Sequence, residues 1–378
     1  MALSKKKNSI SYYCLLVLLY ALLLSVSAAG GYLYAVKPLR QHIIGFSGAA
    51  TLGWLLDEEQ EKAIANTYYD KQAALKELDS YSWYVPTIMS PFVGHGCRPG
   101  QHNNAAINSL QFRDSRELTL PKPRDVYRIF LTGGSTAYSS GAPRQDRTIG
   151  AYLERMLNRS LSGASRQRYE VFTMATPAWA STHERIMIEN RLSEWEPDLV
   201  ISFSGNNDVH WGVLGRNILW FRSYEDEFSW NIINTAYRLS GLQPLPDIQK
   251  IVPEPIVPAL VAERLLKNIQ LGFHALALKN VPYIFCLQPT LAASKKALTR
   301  REQQLLNDTA QYYRDCYRLI DAELSNLAIQ NFYYCNLAGI FDDLPDSDEI
   351  FIDSFHFGDR GNERAARHIF NAIHQSIQ

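Results

Sequence analysis

The chain has 378 residues, 46% of them hydrophobic, enough for a substantial core in one or two domains. Its 38 Lys and Arg balance 38 Asp and Glu, so no net field draws it to a polyanion, and no basic cluster interleaved with aromatics points to nucleic acid as a partner. No Gly-x-Gly-x-x-Gly opens a helix, no phosphate-binding lysine follows a glycine turn, and neither the cysteines nor the nine histidines have metal-ligand spacing. No cofactor and no metal are expected.

Lys5, Lys6 and Lys7 precede an uncharged stretch from Tyr12 to Val36. As a helix this stretch reaches roughly 37 Å, enough to cross a bilayer core, and the lysines place the N-terminus on the cytoplasmic side. A cleavable signal peptide competes, with Cys14–Leu24 as its apolar core and Val26-Ser27-Ala28 before the cut. The apolar run continues through Tyr32, Leu33 and Val36, which favours an uncleaved membrane anchor. Either way the rest of the chain is expected to be periplasmic or extracellular. The predicted layout is residues 1–40 as tip and anchor, 41–104 as juxtamembrane stalk and packed linker, and 105–378 as the main domain. Ile43–Leu56, apolar with small residues, suits the membrane interface. Asp57–Ser80, rich in Glu, Lys and Ala, reads as a polar, solvated helical stalk.

Within the main domain, apolar and β-branched runs predict strands near Val126–Leu131, Glu170–Met174, Leu199–Ser204, Pro282–Leu287 and Phe332–Asn336. Helices are predicted near Ile149–Asn158, Thr182–Trp195, Leu260–Leu278, Ser294–Leu327 and Glu363–Ser376. This alternation implies βαβ units, hence an α/β fold with a parallel sheet and helices on both faces. An insertion at about 209–258 breaks the rhythm with Trp211, Trp220, Phe221, Tyr224, Phe228 and Trp230 and then five prolines. It reads as a lid or as aromatics packing the insertion onto the sheet. Cys97, Cys286, Cys316 and Cys335 allow three complete disulfide pairings, although Cys286 sits in a strand-like run and reads as a core thiol.

The chemistry-bearing residues fall at the ends of these elements. Val126–Thr132 stops at Gly133-Gly134, after which Ser135 projects from the carboxyl end of a strand, where open α/β sheets bind ligands. Such a serine is a candidate nucleophile, or else part of an ordinary packing turn. Asp353 and His356, three apart, meet on one face of a helical turn. The carboxylate can then fix the imidazole as a base, in the orienter–base–nucleophile order of serine hydrolysis. The competing reading is a capping aspartate beside a surface histidine. Between them, Leu199–Ser204 ends at Gly205-Asn206-Asn207-Asp208, where Asn207 can offer an amide to an oxyanion, or serve only a turn.

These blocks, in this order, resemble those of the SGNH (GDSL-type) hydrolases over roughly residues 105–375. Ser135 matches the serine of the first block, with Gly-Gly-Ser for Gly-Asp-Ser, Gly205-x-Asn207-Asp208 matches the third, and Asp353-x-x-His356 the fifth. The second block, Met174-Ala175-Thr176-Pro177-Ala178-Trp179-Ala180-Ser181, is similar to Asn-Ala-Gly-x-Pro-Gly-Tyr-x-Ser, with Ala175 and Ala178 where glycines are usual. Asn108-Ser109-Leu110-Gln111-Phe112-Arg113 resembles the Asn-x-x-Gly-Phe-Arg of a membrane-associated bacterial branch. The resemblance implies a flavodoxin-like three-layer α/β/α sandwich and a serine esterase removing O-acyl groups, O-acetyl foremost, from a carbohydrate or small ester. Ser135, Asp353 and His356 would form the triad. The oxyanion hole would comprise Ser135, Ala175 and Asn207, and Trp179, Asp208 and Trp211 would contact substrate. An O-acyltransferase would use the same residues, and a non-catalytic glycan-binding or scaffold module would keep the fold alone.

Overall fold

The computed structural model describes residues 12–33, 58–77, 85–161, 168–215, 224–244 and 255–377. The chain divides into two compact units, Met1–Ala49 with Glu227–Asp247, and Ala50–Asp226 with Ile248–Gln378. Within the first, helix α1 (Tyr12–Leu33) has 22 residues with a mean hydropathy of 2.2. Its length of about 33 Å is that of a bilayer core, which suits an anchor or a signal sequence. The predicted interfacial stretch Ile43–Leu56 lies outside the described residues, as does the centre of the predicted insertion at 216–223 and 245–254.

The second unit begins with two short helices, α2 (Glu58–Ala65) and α3 (Lys71–Glu77). Here the structure corrects the solvated stalk. Ile64, Ala65, Tyr68 and Ala74 are buried in a cluster with Ile352 from the far end of the sequence. The charged residues that suggested solvation occupy only the outer face. Two antiparallel hairpins follow, β1 (Thr87–Ser90) with β2 (Gly94–Cys97) and β3 (Gly100–His102) with β4 (Ala105–Ile107).

The sheet then forms from β5 (Val126–Gly133), α4 (Ser135–Tyr138), α5 (Ile149–Leu161), β6 (Arg168–Ala175), α6 (Ser181–Asn190), β7 (Leu199–Ser204) and α7 (Asn206–Val213). Helix α8 (Tyr224–Leu239) falls mostly in the first unit. The second unit continues with α9 (Pro258–Ala277), β8 (Tyr283–Leu287), α10 (Arg300–Leu305), α11 (Ala310–Ser325), β9 (Phe332–Asn336) and α12 (Asp359–Ile377). The five strands pair in parallel in the order β6-β5-β7-β8-β9. This is the doubly wound flavodoxin-like order, whose switch point falls between β5 and β7.

Alternation along the strands divides the core into two layers. Ile129 and Leu131 of β5 face α5 and α12, through Leu153, Leu157, Ile369 and Ile373. Phe130 and Val200 face α6, α9 and α11, through Ile188, Leu265, Phe273 and Tyr317. Fully burying each such large apolar side chain contributes about 1.5–3 kcal/mol, so both faces of the sheet are firmly covered. Two further expectations need correction. The single helix predicted over Ser294–Leu327 is two, α10 and α11, because Leu306 leaves helical geometry with ψ 130°. Asp353–His356 is not a helical turn but a loop closed by the Phe351–Phe357 bridge and by Ile352 N–H donating to His356 O at 2.8 Å. The cysteines are unbridged, with Cys286 and Cys335 opposite one another on β8 and β9.

Candidate active site

Ser135 stands at the carboxyl end of β5, on the switch point of the sheet. The chain gets there through Gly133, whose φ of 151° leaves no room for a side chain. A Cβ there would lie 2.4 Å from Phe203 O and 2.6 Å from the Ala137 Cβ. The serine turn is fastened from behind by Arg113. Its Nη1 donates to Tyr138 O and Ser139 O, both at 2.8 Å, its Nη2 donates to Asn104 O at 3.1 Å, and its guanidinium lies 4.5 Å over the Tyr138 ring. Burial pushes the guanidinium pKa down. Gln288 Nε2 donates to Thr136 Oγ1 at 2.9 Å and steadies the turn from the β8 side.

The structure brings Asp353 and His356 to this serine. His356 Nε2 is 2.7 Å from Ser135 Oγ, and His356 Nδ1 is 2.6 Å from Asp353 Oδ2. A carboxylate beside Nδ1 fixes the proton there, so Nε2 is left to accept the serine proton. Asp353 Oδ1 also accepts the N–H groups of Phe355 at 2.9 Å and His356 at 2.7 Å. Burial pushes the Asp353 carboxyl up, but the His356 imidazole and these donors outweigh it and hold the pKa below the ordinary carboxylate value. The imidazole and serine are almost fully buried, at 4% and 5% exposure.

The loop that carries them is held by a charged network that sequence reading missed, because it falls in the segment taken for one long helix. Arg301 Nη1 donates to Glu349 Oε1 at 2.7 Å and to Phe351 O at 2.8 Å, and Nη2 donates to Ile352 O. Glu302 Oε1 accepts Ile350 N–H at 3.1 Å and Phe351 N–H at 3.2 Å. Its other oxygen pairs with Lys296 Nζ at 2.7 Å, both side chains wholly buried.

Asn207, at the amino end of α7, lies on the opposite side of the serine turn. Its Nδ2 donates to Trp179 O at 2.7 Å while Asn206 Nδ2 donates to its Oδ1 at 3.3 Å, which settles the orientation of the amide. The amide sits against Gly134, where a Cβ would lie 2.4 Å from Nδ2. Among the described residues the second Nδ2 hydrogen meets no acceptor, so it can turn to a developing oxyanion.

The four remaining predicted residues are placed differently. Ala175 pairs in register with Gly133, and Thr176 N–H donates to Gly133 O. Parallel strands alternate their polar groups, so the Ala175 N–H and carbonyl point to the other edge. There the carbonyl is 3.9 Å from Cys97 Sγ. The second block instead turns at Ala178, at φ 68°, and among the described residues the Ala178 N–H meets no acceptor. Trp179 is fully buried, its Nε1 donating to His95 O at 3.1 Å and its ring stacked on His183. Only its backbone carbonyl reaches Asn207. Trp211, 1% exposed, offers substrate no surface.

Asp208 faces away from the serine. Its carboxylate accepts the Ser181 hydroxyl at 2.6 Å and the Ser181 N–H at 3.0 Å, tying α7 to the start of α6. Burial raises its pKa, and the Ser181 hydrogen bonds oppose that rise. Beside it Glu184 of α6 is buried under β7. Desolvation pushes its pKa up to about 7, against the lowering effect of Ser204 and Ser202.

A cavity of about 290 Å³ lies beside the triad, lined by Ser354 and Phe355, the two residues between Asp353 and His356. Val213, Leu214, Leu306 and Ala310 supply apolar walls, and His210, Asn307 and Tyr313 supply polar points. The Phe355 ring packs on the imidazole with centroids 4.4 Å apart. Outside the fifth block, these lining residues carry no motif that a sequence reading could single out.

No family model and no curated relative matches the sequence. Comparison with solved structures finds a lipase from a goat-rumen metagenome, at 11% identity and TM-score 0.42 over 65% of this chain and 97% of that one. It also finds an acetyl xylan esterase, at 17% and 0.39 over 65% and 99%. A two-domain esterase active on acetylated mannans matches at 11% and 0.34 over 66% and 50%. In this chain, fold and site together define a doubly wound α/β protein with a preassembled Ser-His-Asp constellation at its switch point. What that constellation does follows from its geometry.

Proposed function

We propose that the protein is a membrane-anchored, extracytoplasmic serine esterase of SGNH type that removes O-acyl groups from a carbohydrate or small ester. The observation that carries this reading is the continuous line from Ser135 Oγ to His356 Nε2, 2.7 Å, and from His356 Nδ1 to Asp353 Oδ2, 2.6 Å. Ser135 Oγ attacks the ester carbonyl carbon as His356 Nε2 takes its proton, and Asp353 stabilises the imidazolium. The tetrahedral oxyanion is met by the free Nδ2 hydrogen of Asn207 and by the N–H groups of Ser135 and Ala178, with Ala178 in the role expected of Ala175. Collapse expels the alcohol, which takes the proton back from His356. Water then attacks the acyl-enzyme, giving its proton to His356, and the acid leaves as Ser135 is restored. A carbohydrate hydroxyl in place of that water would make the same cycle an acyl transfer.

The 290 Å³ cavity is near the lower end of the range for small-molecule sites. It has room for a group larger than the methyl of an acetyl ester, with polar points at His210, Asn307 and Tyr313 for an oxygen-rich one. The anchor α1 and its preceding lysines support a location outside the cytoplasm.

The test is fluorophosphonate labelling of the full chain together with turnover of p-nitrophenyl esters of increasing acyl length, with and without a carbohydrate acceptor. Ser135→Ala is expected to abolish labelling and to lower turnover by about 10⁴-fold or more. A wild-type chain that reacts with neither reagent would leave the glycan-binding module as the better reading.

A further inference from the structure

We propose that residues 58–77, the stretch joining the anchor to the sheet, are a positioning element for the loop that carries Asp353 and His356. This inference rests on the triad reading above. The contacts grip the loop on both sides of the acid–base pair. On the near side, Ile352, immediately before Asp353, is buried in one cluster with Ile64, Ala65, Tyr68 and Ala74. On the far side Gly358, two residues beyond His356, passes so close to this segment that a Cβ would lie 2.5 Å from both Thr67 O and Thr67 Oγ1. Arg360 Nη1 donates to Asn66 O at 2.7 Å, Tyr69 N–H donates to Asp359 Oδ1 at 3.0 Å, and the Tyr69 hydroxyl donates to Glu363.

The arrangement makes physical sense because the loop is not regular structure. The bridge Phe351–Phe357 closes its base, the 296–302 network holds the segment that leads into it, and Leu291 N–H and the Thr290 hydroxyl donate to Ser354 O at its tip. His356 and the start of α12 have no strand neighbour to fix them. Residues 64–69 supply that second wall. When they are docked, Nε2 stays within hydrogen-bond reach of Ser135. When they are not, the imidazole drifts, and a displacement of about 1 Å is enough to cost roughly 10²-fold in rate. The segment is therefore part of the working enzyme, and the chain between membrane and sheet acts on the triad through Ile352 and Gly358.

Two full-length variants test this without touching the loop. Ile64→Ala with Tyr68→Ala hollows the cluster, and Ala74→Glu places a charge in it. Each is expected to lower the rate of fluorophosphonate labelling at Ser135 and kcat on p-nitrophenyl acetate by about 10–10²-fold, with KM within about twofold. The main thermal transition, which belongs to the sheet, should stay within a few degrees. The conservative pair Ile64→Val with Tyr68→Phe is expected to regain the wild-type rates. Wild-type labelling and kcat in both damaging variants would overturn the inference. So would activity that falls only in proportion to the fraction unfolded at the assay temperature. A wild-type chain that fails to label at all would instead sink the hydrolase reading itself, and the two failures are told apart by that one control.

Discussion

Ser135 and His356 meet at 2.7 Å, yet the two sides of that contact are built in opposite ways. The serine turn is an extension of the sheet. It grows out of the central strand β5, its approach is dictated by the φ of Gly133, and one buried arginine caps its carbonyls. The histidine loop has no ladder of its own beyond a single bridge. Side chains from α10, from Glu349 and from residues 64–69 hold it, and each is distant in sequence from the others. Ser135 is placed by the backbone of β5, and Asp353 and His356 largely by contacts assembled from distant segments. Damage to the first should appear as lost stability, and damage to the second as lost rate.

Arg113 and Arg301 test that division most directly. Arg113→Ala leaves Tyr138 O and Asn104 O without their arginine donor, while Ser139 O keeps the Ala142 N–H at 2.8 Å. Each stranded acceptor costs about 1–3 kcal/mol, so a loss of about 2–5 kcal/mol is expected in chemical unfolding. Arg301→Ala removes the donors to Phe351 O and Ile352 O and unpairs Glu349. It is expected to lower kcat by about 10–10²-fold in whatever fraction remains folded, with KM little changed. If Arg113→Ala proves stable but slow, and Arg301→Ala unstable but fast per folded molecule, the comparison is inverted and the division fails.

Asn207→Ala sharpens the serine side, because it removes the proposed oxyanion donor without altering the approach of the chain. Turnover should fall about 10²–10³-fold in kcat. Its kcat should drop without a matching rise in KM, since the donor strengthens only as charge develops on the carbonyl oxygen. Stopped-flow acylation rates separate that outcome from slower product release.

How much of this was legible in the sequence follows the same division. The five strands could be read because each is rich in apolar and aromatic residues, the central β7 and β8 being buried along their whole length, and Ser135 and Asn207 sit where such runs stop. Ala175 was the natural choice for the second block, since it lies where a glycine is usual. The alternation of β6 sends its N–H to the wrong edge, and that alternation shows only once the register with β5 is known. The real turn, at Ala178, was hidden because an alanine occupies a positive-φ position. Trp179, Trp211 and Asp208 looked like substrate contacts because they neighbour the blocks, but burial turns all three inward. The loop's supports were the least legible. Glu302 and Arg301 sat in what read as one helix, and Ile64, Tyr68 and Ala74 are too few, in helices too short, to outweigh the charges around them.

Glu184 offers a way to separate stability from chemistry by pH. Its carboxyl is buried beneath β7, and desolvation raises its pKa to about 7 in the folded protein. In the unfolded chain it ionises near the ordinary value of about 4.3. A carboxyl with a raised folded value contributes stability that is fully present below the unfolded value and lost as pH rises through the folded one. The protein should therefore lose up to about 3 kcal/mol between pH 4.5 and 7 through this group. Glu184→Gln is expected to flatten that part of the stability profile, measured by denaturant unfolding at half-unit steps. Because the group touches neither Ser135 nor His356, kcat at pH 6 should stay within a few-fold.

Ala178 carries the smallest expected effect and the finest test of the oxyanion geometry. An alanine at φ 68° is strained relative to glycine by roughly 1 kcal/mol. Glycine gives part of that back through the greater entropy of its unfolded chain. Ala178→Gly should therefore stabilise the protein by about 0.5 kcal/mol, or leave it unchanged. If its role is the backbone N–H, that group survives the substitution and kcat should stay within about threefold of wild type. Ala178→Val should behave otherwise, since a β-branched side chain in this region is a genuine outlier and would push the turn, and Trp179 O with it, off Asn207. Stability and kcat should then fall together. If instead Ala178→Gly loses tenfold or more in kcat with the fold intact, the methyl group is needed for rate, and the third oxyanion donor must be sought elsewhere than on this turn.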